Sequence, residues 1–240
     1  LVFAILVSLS RIYEFVHFPV DIAAGILIGG VSGVVFANKE FQKFLLLSWN
    51  HLEFRRQSFH FTLGFLVVFA HWIGFLRIRE IAIILALGLT ISIISQIKRI
   101  PIISEILELF DRPRDHDFPG RGAFYFLLGV FLSFWFFPVE IAYASILIMS
   151  VGDSLNHLFV RNIGFWQTPW NPKKNWIGVG LGIVTGVIAA QFFVPLQAAI
   201  IATTIAIILE TVTLKIGNFF IDDNIIVPLS AGFILQLILV

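Results

Sequence analysis

Apolar runs recur along this chain at residues 20–37, 60–76, 81–97, 122–137, 141–157, 176–194, 197–213 and 225–240, and a ninth ends near Leu9. Each is close to the roughly 17–25 residues that a helix needs to cross a bilayer at about 1.5 Å per residue. Backbone polar groups in lipid have to be satisfied internally, which restricts spanning segments to helices and closed barrels. The runs are too long for barrel strands and show no sustained alternation of apolar and polar residues. A mean hydropathy of +0.95 and 58% hydrophobic residues agree. The expectation is an all-α, polytopic helical membrane protein with about 8–9 transmembrane helices, partnered by the lipid bilayer.

The net charge of +1 is uninformative, but its distribution is not. If the runs alternate across a bilayer, thirteen of the 16 Lys and Arg residues fall on one face and only Arg11, Arg77 and Arg79 on the other. Cytoplasmic loops are the richer in Lys and Arg, so the crowded face is assigned to the cytoplasm of a multi-pass cell-membrane protein, with no nucleic-acid partner. The absence of cysteine excludes disulfides, thiolate catalysis and cysteine metal sites. A chain beginning at Leu1, with Met149 its single methionine, reads as a fragment or processed product.

Two acidic islands interrupt the apolar pattern on the basic face: Gly152-Asp153-Ser154, followed by Arg161, Lys173 and Lys174, and Asp222-Asp223-Asn224. A carboxylate at membrane depth is costly and usually functional. Mg²⁺ takes a few carboxylates together with water and phosphate oxygens, which Asp153, Asp222 and Asp223 would supply. Lys174 and Arg121 would hold phosphate oxygens. Gly152, Gly164 and Gly178 would let backbone approach a polyphosphate. A loop with Asp111, Arg112, Arg114, Asp115, His116, Asp117, Pro119, Gly120 and Arg121 adds mixed charge around a turn.

The order of these islands resembles the polyprenol kinase family, which includes dolichol and phytol kinases and is related to phosphatidate cytidylyltransferases. The resemblance runs through roughly residues 50–240. It rests on Glu53-Phe-Arg55-Arg56-Gln-Ser-Phe-His60, FPGRGAFYFLLG at 118–129, GDSLNHLFVRNIG at 152–164, NPKKNWIGVGLG at 171–182, and Glu210 ahead of IDDNIIVPLSAG at 221–232. It implies transfer of the CTP γ-phosphate to an isoprenoid alcohol, with a divalent metal on Asp153, Asp222 and Asp223. Arg121, Gly152, Ser154, Arg161, Lys174 and Gly178 would contact nucleotide, while Arg56, His60, Glu210 and Asn224 complete the motif. Asp153, His157 and His60 are the candidates for a base. This chain departs from the family pattern at Asn156, His157 and Val160. It also reads Lys174-Asn-Trp-Ile177-Gly178 where the family often has Lys-Ser-x-Glu-Gly.

Plainer readings exist for the same residues. Asp153 would be satisfied by Lys174 or Arg161, and Asp222 and Asp223 would serve as N-cap and first-turn charge of the last helix. His60 and His157 would be interfacial hydrogen-bonding groups, and His71 has no evident partner. Gly25, Gly29, Gly30 and Gly33 read as close helix packing. The 27 Phe and 6 Trp read as lipid-facing surface and interfacial belt.

Near the N-terminus, Ser10-Arg11, His17 and Asp21 in SRIYEFVHFPVD resemble the last signature of type-2 phosphatidic acid phosphatases. In that family the histidine attacks phosphate, the aspartate orients it and the arginine binds phosphate oxygens. Asp21 is i+4 from His17, so one helix would place both on one face. The family's earlier signatures are absent from this chain, so no phosphatase activity is expected of it. The predicted organisation is a C-terminal phosphatase-like fragment over 1–45 and a kinase-like membrane domain over 46–240, with the boundary in 38–59. An intact protein of this kind would pair an outward phosphatase with an inward kinase. The alternatives to a kinase are a cytidylyltransferase making a CDP-lipid, and a non-catalytic or carrier-type membrane protein. The loop from Trp166 to Trp176 is a candidate lid over the nucleotide.

Overall fold

The computed structural model describes residues 33, 37–39, 42–43, 48–49, 51–112, 117–154, 166–212, 215–216 and 219–240. The chain divides into two compact units, 1–50 and 51–240, and the second carries nearly all the described structure. It is all-α apart from two short ribbons. Its helices among the described residues are α1 (Leu52–Trp72), α2 (Ile78–Ile97), α3 (Ile103–Phe110), α4 (Arg121–Phe136), α5 (Val139–Leu147), α6 (Trp176–Ala190), α7 (Leu196–Thr211) and α8 (Asp223–Leu239). Strands β1 (Gln167–Thr168) and β2 (Asn171–Asn175) form one antiparallel pair, β3 (Lys215–Ile216) and β4 (Phe219–Phe220) another.

The centre of the unit is α5, which continues without a break into a π-helical turn, Ile148–Asp153. Every residue from 141 to 154 is buried. A helix that is apolar all round belongs in the interior, and α1, α4, α6 and α8 pack around this one. Small residues allow the close crossings. A Cβ on Gly152 would meet Ile207 Cδ1 at 3.0 Å and the Gly182 carbonyl oxygen at 3.1 Å, so the π-turn lies almost against the α6 backbone. Gly129 of α4 admits the Asn224 carbonyl of α8 in the same way. That carbonyl faces Pro228, which lacks the N–H it would otherwise bond.

The outer surface is apolar. Ile83, Ile84, Leu87 and Ile93 of α2 are exposed, as are Val184 and Ile188 of α6. Water-soluble monomers rarely expose so continuous an apolar surface. Among the described residues α2 alone is long and apolar enough to cross a bilayer, and α4, α6, α7 and α8 are apolar but shorter. The run at 20–37 falls almost wholly outside the described residues, as does the one ending near Leu9.

Three details differ from the sequence expectation. Helix α1 starts at Leu52 rather than near 60, because Glu53 and Arg55 find partners at Arg112 and Leu109. Arg112 donates to both Glu53 carboxylate oxygens at 2.7 and 3.0 Å, and Arg55 Nε donates to the Leu109 carbonyl at 2.8 Å. The amphipathic helix α3 occupies a stretch with no span of its own. His71 does have a partner: its Nδ1 lies 2.7 Å from the Tyr143 hydroxyl, and its ring stacks on Phe134.

Candidate metal and phosphate site

Up-and-down topology gathers the ends of six elements of the second unit at the same end of the bundle. These are the N-termini of α1, α4, α6 and α8 and the C-termini of α7 and of the π-turn. The sequence islands are carried there. Asp153 closes the π-turn, Glu210 sits in the last turn of α7 and Asp223 opens α8. Ligand oxygens from these three carboxylates all lie within 4.8 Å of one another. Asp153 and Glu210 are buried, and Asp223 is half-buried.

Lys174 of β2 enters the same cluster. Its ammonium donates to Glu210 Oε1 and lies 3.8 Å from Asp153 Oδ1. Burial alone would lower the Lys174 ammonium, but the carboxylates of Glu210, Asp153 and Asp223 outweigh it and hold the group above its ordinary value, charged. The strand is fastened to α7 by two further bonds. Trp170 Nε1 donates to Thr211 Oγ1 at 2.8 Å, and Asn171 Nδ2 to the Thr211 carbonyl at 3.2 Å.

On the α1 side, His60 is buried and stacks on Phe126 at 4.9 Å between ring centroids. It interacts electrostatically with Asp153 and Asp223 and with Arg56 and Arg112. Arg56 is buried against Gly122, where a Cβ would come within 2.9 Å of its Nη2, and its Nη1 reaches Glu53 Oε1 at 3.4 Å. Two hydroxyl or amide oxygens at this end, Ser154 Oγ and Gln57 Oε1, are buried with no hydrogen-bond partner among the described residues.

The arrangement redistributes the roles read from sequence. Asp222 is not one of the three clustered carboxylates. It is the N-cap of α8, its Oδ1 accepting from the Asn224 amide at 3.2 Å and from Asn224 Nδ2 at 2.8 Å. Burial, then the neighbouring Asp223 charge, pushes the Asp222 carboxyl up to about 7. Glu210 is the third carboxylate of the cluster instead. Gly152 serves a helix crossing, and the Gly178 amide is taken by the Asn175 cap at 2.8 Å. Arg121 begins α4 with its guanidinium over the Tyr125 ring at 5.5 Å. Asn224 is buried on the Asp222 cap. Arg161, Asn156, His157 and Val160 lie outside the described residues, as do Arg114, Asp115 and His116. The π-turn that carries Asp153 had no signal in the sequence; such turns recur at functional sites.

Residues 1–45 match a family model described as the PAP2 superfamily. The first 45 residues are therefore PAP2-like, as SRIYEFVHFPVD suggested, although Arg11, His17 and Asp21 lie outside the described residues. No curated protein and no solved structure matches the chain.

Proposed function

We propose that the unit from residue 51 onward is a lipid kinase of the membrane interface, which transfers the γ-phosphate of CTP to the hydroxyl of an isoprenoid alcohol. One observation carries this reading. Glu53, Arg56, His60, Asp153, Lys174, Glu210 and Asp223 come from five separate segments and are drawn to one end of one bundle, around a cluster of three carboxylates. Buried charge at membrane depth is costly, and its concentration at one place favours a functional site.

A divalent metal such as Mg²⁺ fits the donor set. Three carboxylates this close repel one another, a hard cation takes oxygen ligands of this kind, and Ser154 Oγ beside them is a buried oxygen lacking a hydrogen bond. Asp153, Glu210 and Asp223 would hold the ion, which when bound neutralises charge on the phosphates.

The chain's own groups do the rest by positioning. Lys174 is held charged where phosphate oxygens would arrive, a point charge suited to them. Two of the three base candidates, His60 and Asp153, lie at this end of the bundle, and His60 stands within electrostatic reach of Asp153 and Asp223. The alcohol oxygen bonds to the γ-phosphorus, the bond from that phosphorus to the β–γ bridging oxygen breaks, and CDP leaves. The apolar outer faces of the helices suit an isoprenoid tail in the bilayer, with its hydroxyl at the charged end of the bundle. By the excess of Lys and Arg at that end, it faces the cytoplasm in a multi-pass arrangement.

Label position tests the reading. With Mg²⁺ and a panel of polyprenols and phytol, γ-labelled CTP should mark the lipid, and Asp153→Asn should abolish the transfer. With a phosphorylated lipid added to the panel, label from α-labelled CTP on that lipid, with release of pyrophosphate, would instead identify a cytidylyltransferase. No label from either, on folded protein, would point to a carrier.

A further inference from the structure

Helix α6 is 15 residues long and α7 is 16, which at about 1.5 Å per residue gives lengths of about 22–24 Å. The hydrocarbon core of a bilayer is about 30 Å thick. Short apolar helices leave such a bundle's ends at headgroup depth or inside it, unless other residues make up the difference. At the end that carries Lys174, the β1–β2 hairpin runs directly into α6 and is bonded to Thr211 in the last turn of α7.

The hairpin is built for that layer. Trp166, Trp170 and Trp176 are 76%, 50% and 39% exposed. Trp170 and Trp176 meet edge to face at 5.8 Å, and the hairpin mouth is closed by the Trp176 amide donating to the Trp166 carbonyl at 2.9 Å. Trp166 is held at φ +59°, a conformation that costs a non-glycine residue about 1–2 kcal/mol. Gln167, Pro169 and Pro172 between the tryptophans are exposed too. Tryptophan is the residue enriched where apolar and polar membrane layers meet, its ring in the one and its N–H in the other.

We propose that the hairpin Trp166–Trp176 is the protein's seat in the headgroup layer of the bilayer. It extends the short α6 and α7 to membrane thickness and sets the depth at which Lys174 meets Glu210 and Asp153. The occupant of its aromatic face is the lipid interface rather than a soluble ligand. Because Trp170 is bonded to Thr211, beside Glu210, the depth of the hairpin and the position of the acidic cluster are mechanically one. The inference does not depend on the kinase reading, since it concerns where the hairpin sits.

The chain has no cysteine, so single labels report cleanly. Gln167→Cys and Pro172→Cys, each carrying an environment-sensitive fluorophore, would be reconstituted in phosphatidylcholine–phosphatidylglycerol vesicles, with Leu87→Cys in mid-α2 as the deep reference. Nitroxide lipids labelled near the headgroup should quench both hairpin sites severalfold more than lipids labelled near the chain end. Aqueous iodide should reach them poorly, and added CTP with Mg²⁺ should change little. Leu87→Cys should show the opposite depth preference. Free quenching by iodide with no response to either nitroxide lipid would overturn the proposal. So would shielding from iodide that appears only with CTP and Mg²⁺, which is the behaviour of a nucleotide lid. Two label positions guard against one variant failing to fold.

Discussion

The ammonium of Lys174, on a two-stranded ribbon, lies 3.8 Å from the carboxylate of Asp153 at the end of the buried central helix. It is at the same time hydrogen-bonded to Glu210 of α7. One cation thus ties the hairpin to two helices across a site that also takes Asp223. Removing one partner of a buried ionic group leaves the others uncompensated, which typically costs about 3–5 kcal/mol.

Lys174→Met is therefore expected to lower stability by about that amount. Added Mg²⁺ should restore more stability to this variant than to the native chain, because a divalent ion then becomes the main cation among the three carboxylates. Thermal unfolding in detergent with and without Mg²⁺ measures both effects. A variant as stable as the native protein without metal would show that Lys174 does not balance the cluster.

The raised Asp222 carboxyl gives a pH dependence with a definite sign. Its folded value of about 7 lies above the unfolded value near 4. Between those values the folded state binds more protons, so this group's stabilisation is complete below about pH 4 and is lost as pH rises through about 7. Asn at 222 keeps a capping oxygen and does not titrate. Denaturant unfolding from pH 5 to 8 should show a shallower decline for Asp222→Asn than for the native chain.

Two glycine substitutions should act in opposite directions. A Cβ at Gly129 runs into the Asn224 carbonyl, so Gly129→Ala must push the start of α8, and with it Asp223, off the site. Overpacking of this kind costs about 1–3 kcal/mol, and phosphate transfer should fall with it. Gly180 has nothing within 4 Å of the same construction and lies exposed on α6. Gly180→Ala should gain about 0.5–1 kcal/mol through helix propensity and leave transfer unchanged. Unfolding midpoints of the two variants, side by side, check the packing at the α4–α8 crossing.

What the sequence made legible follows from the range of the physics involved. Helices and their approximate positions depend on apolar runs, which are local, and an all-α unit follows from them. Asp153 and Asp223 stood out because a carboxylate inside an apolar run is rare. Glu210 was noticed only as a motif member, since its partners Lys174 and Asp153 are far away in sequence. Asp222 looked like its neighbour Asp223, and only the start of α8 separates a cap from a carboxylate turned into the cluster. The π-turn at 148–153 and the pairing of His71 with Tyr143 depend on how α5 packs, which no local pattern encodes. The hairpin at 167–175 is pinned by Thr211 of another helix, so a stretch with two prolines read as an open loop.

Glu210, and not Asp222, clusters with Asp153 and Asp223, and the proposed function places phosphate transfer there. The direct measurement is the rate of γ-phosphate transfer from CTP to polyprenol, titrated with Mg²⁺, for Glu210→Gln and Asp222→Asn against the native chain. Glu210→Gln should lose at least the roughly 10–100-fold typical of damage to a metal site, with a raised Mg²⁺ requirement, while Asp222→Asn should stay close to native. Transfer retained in Glu210→Gln and lost in Asp222→Asn would contradict that placement.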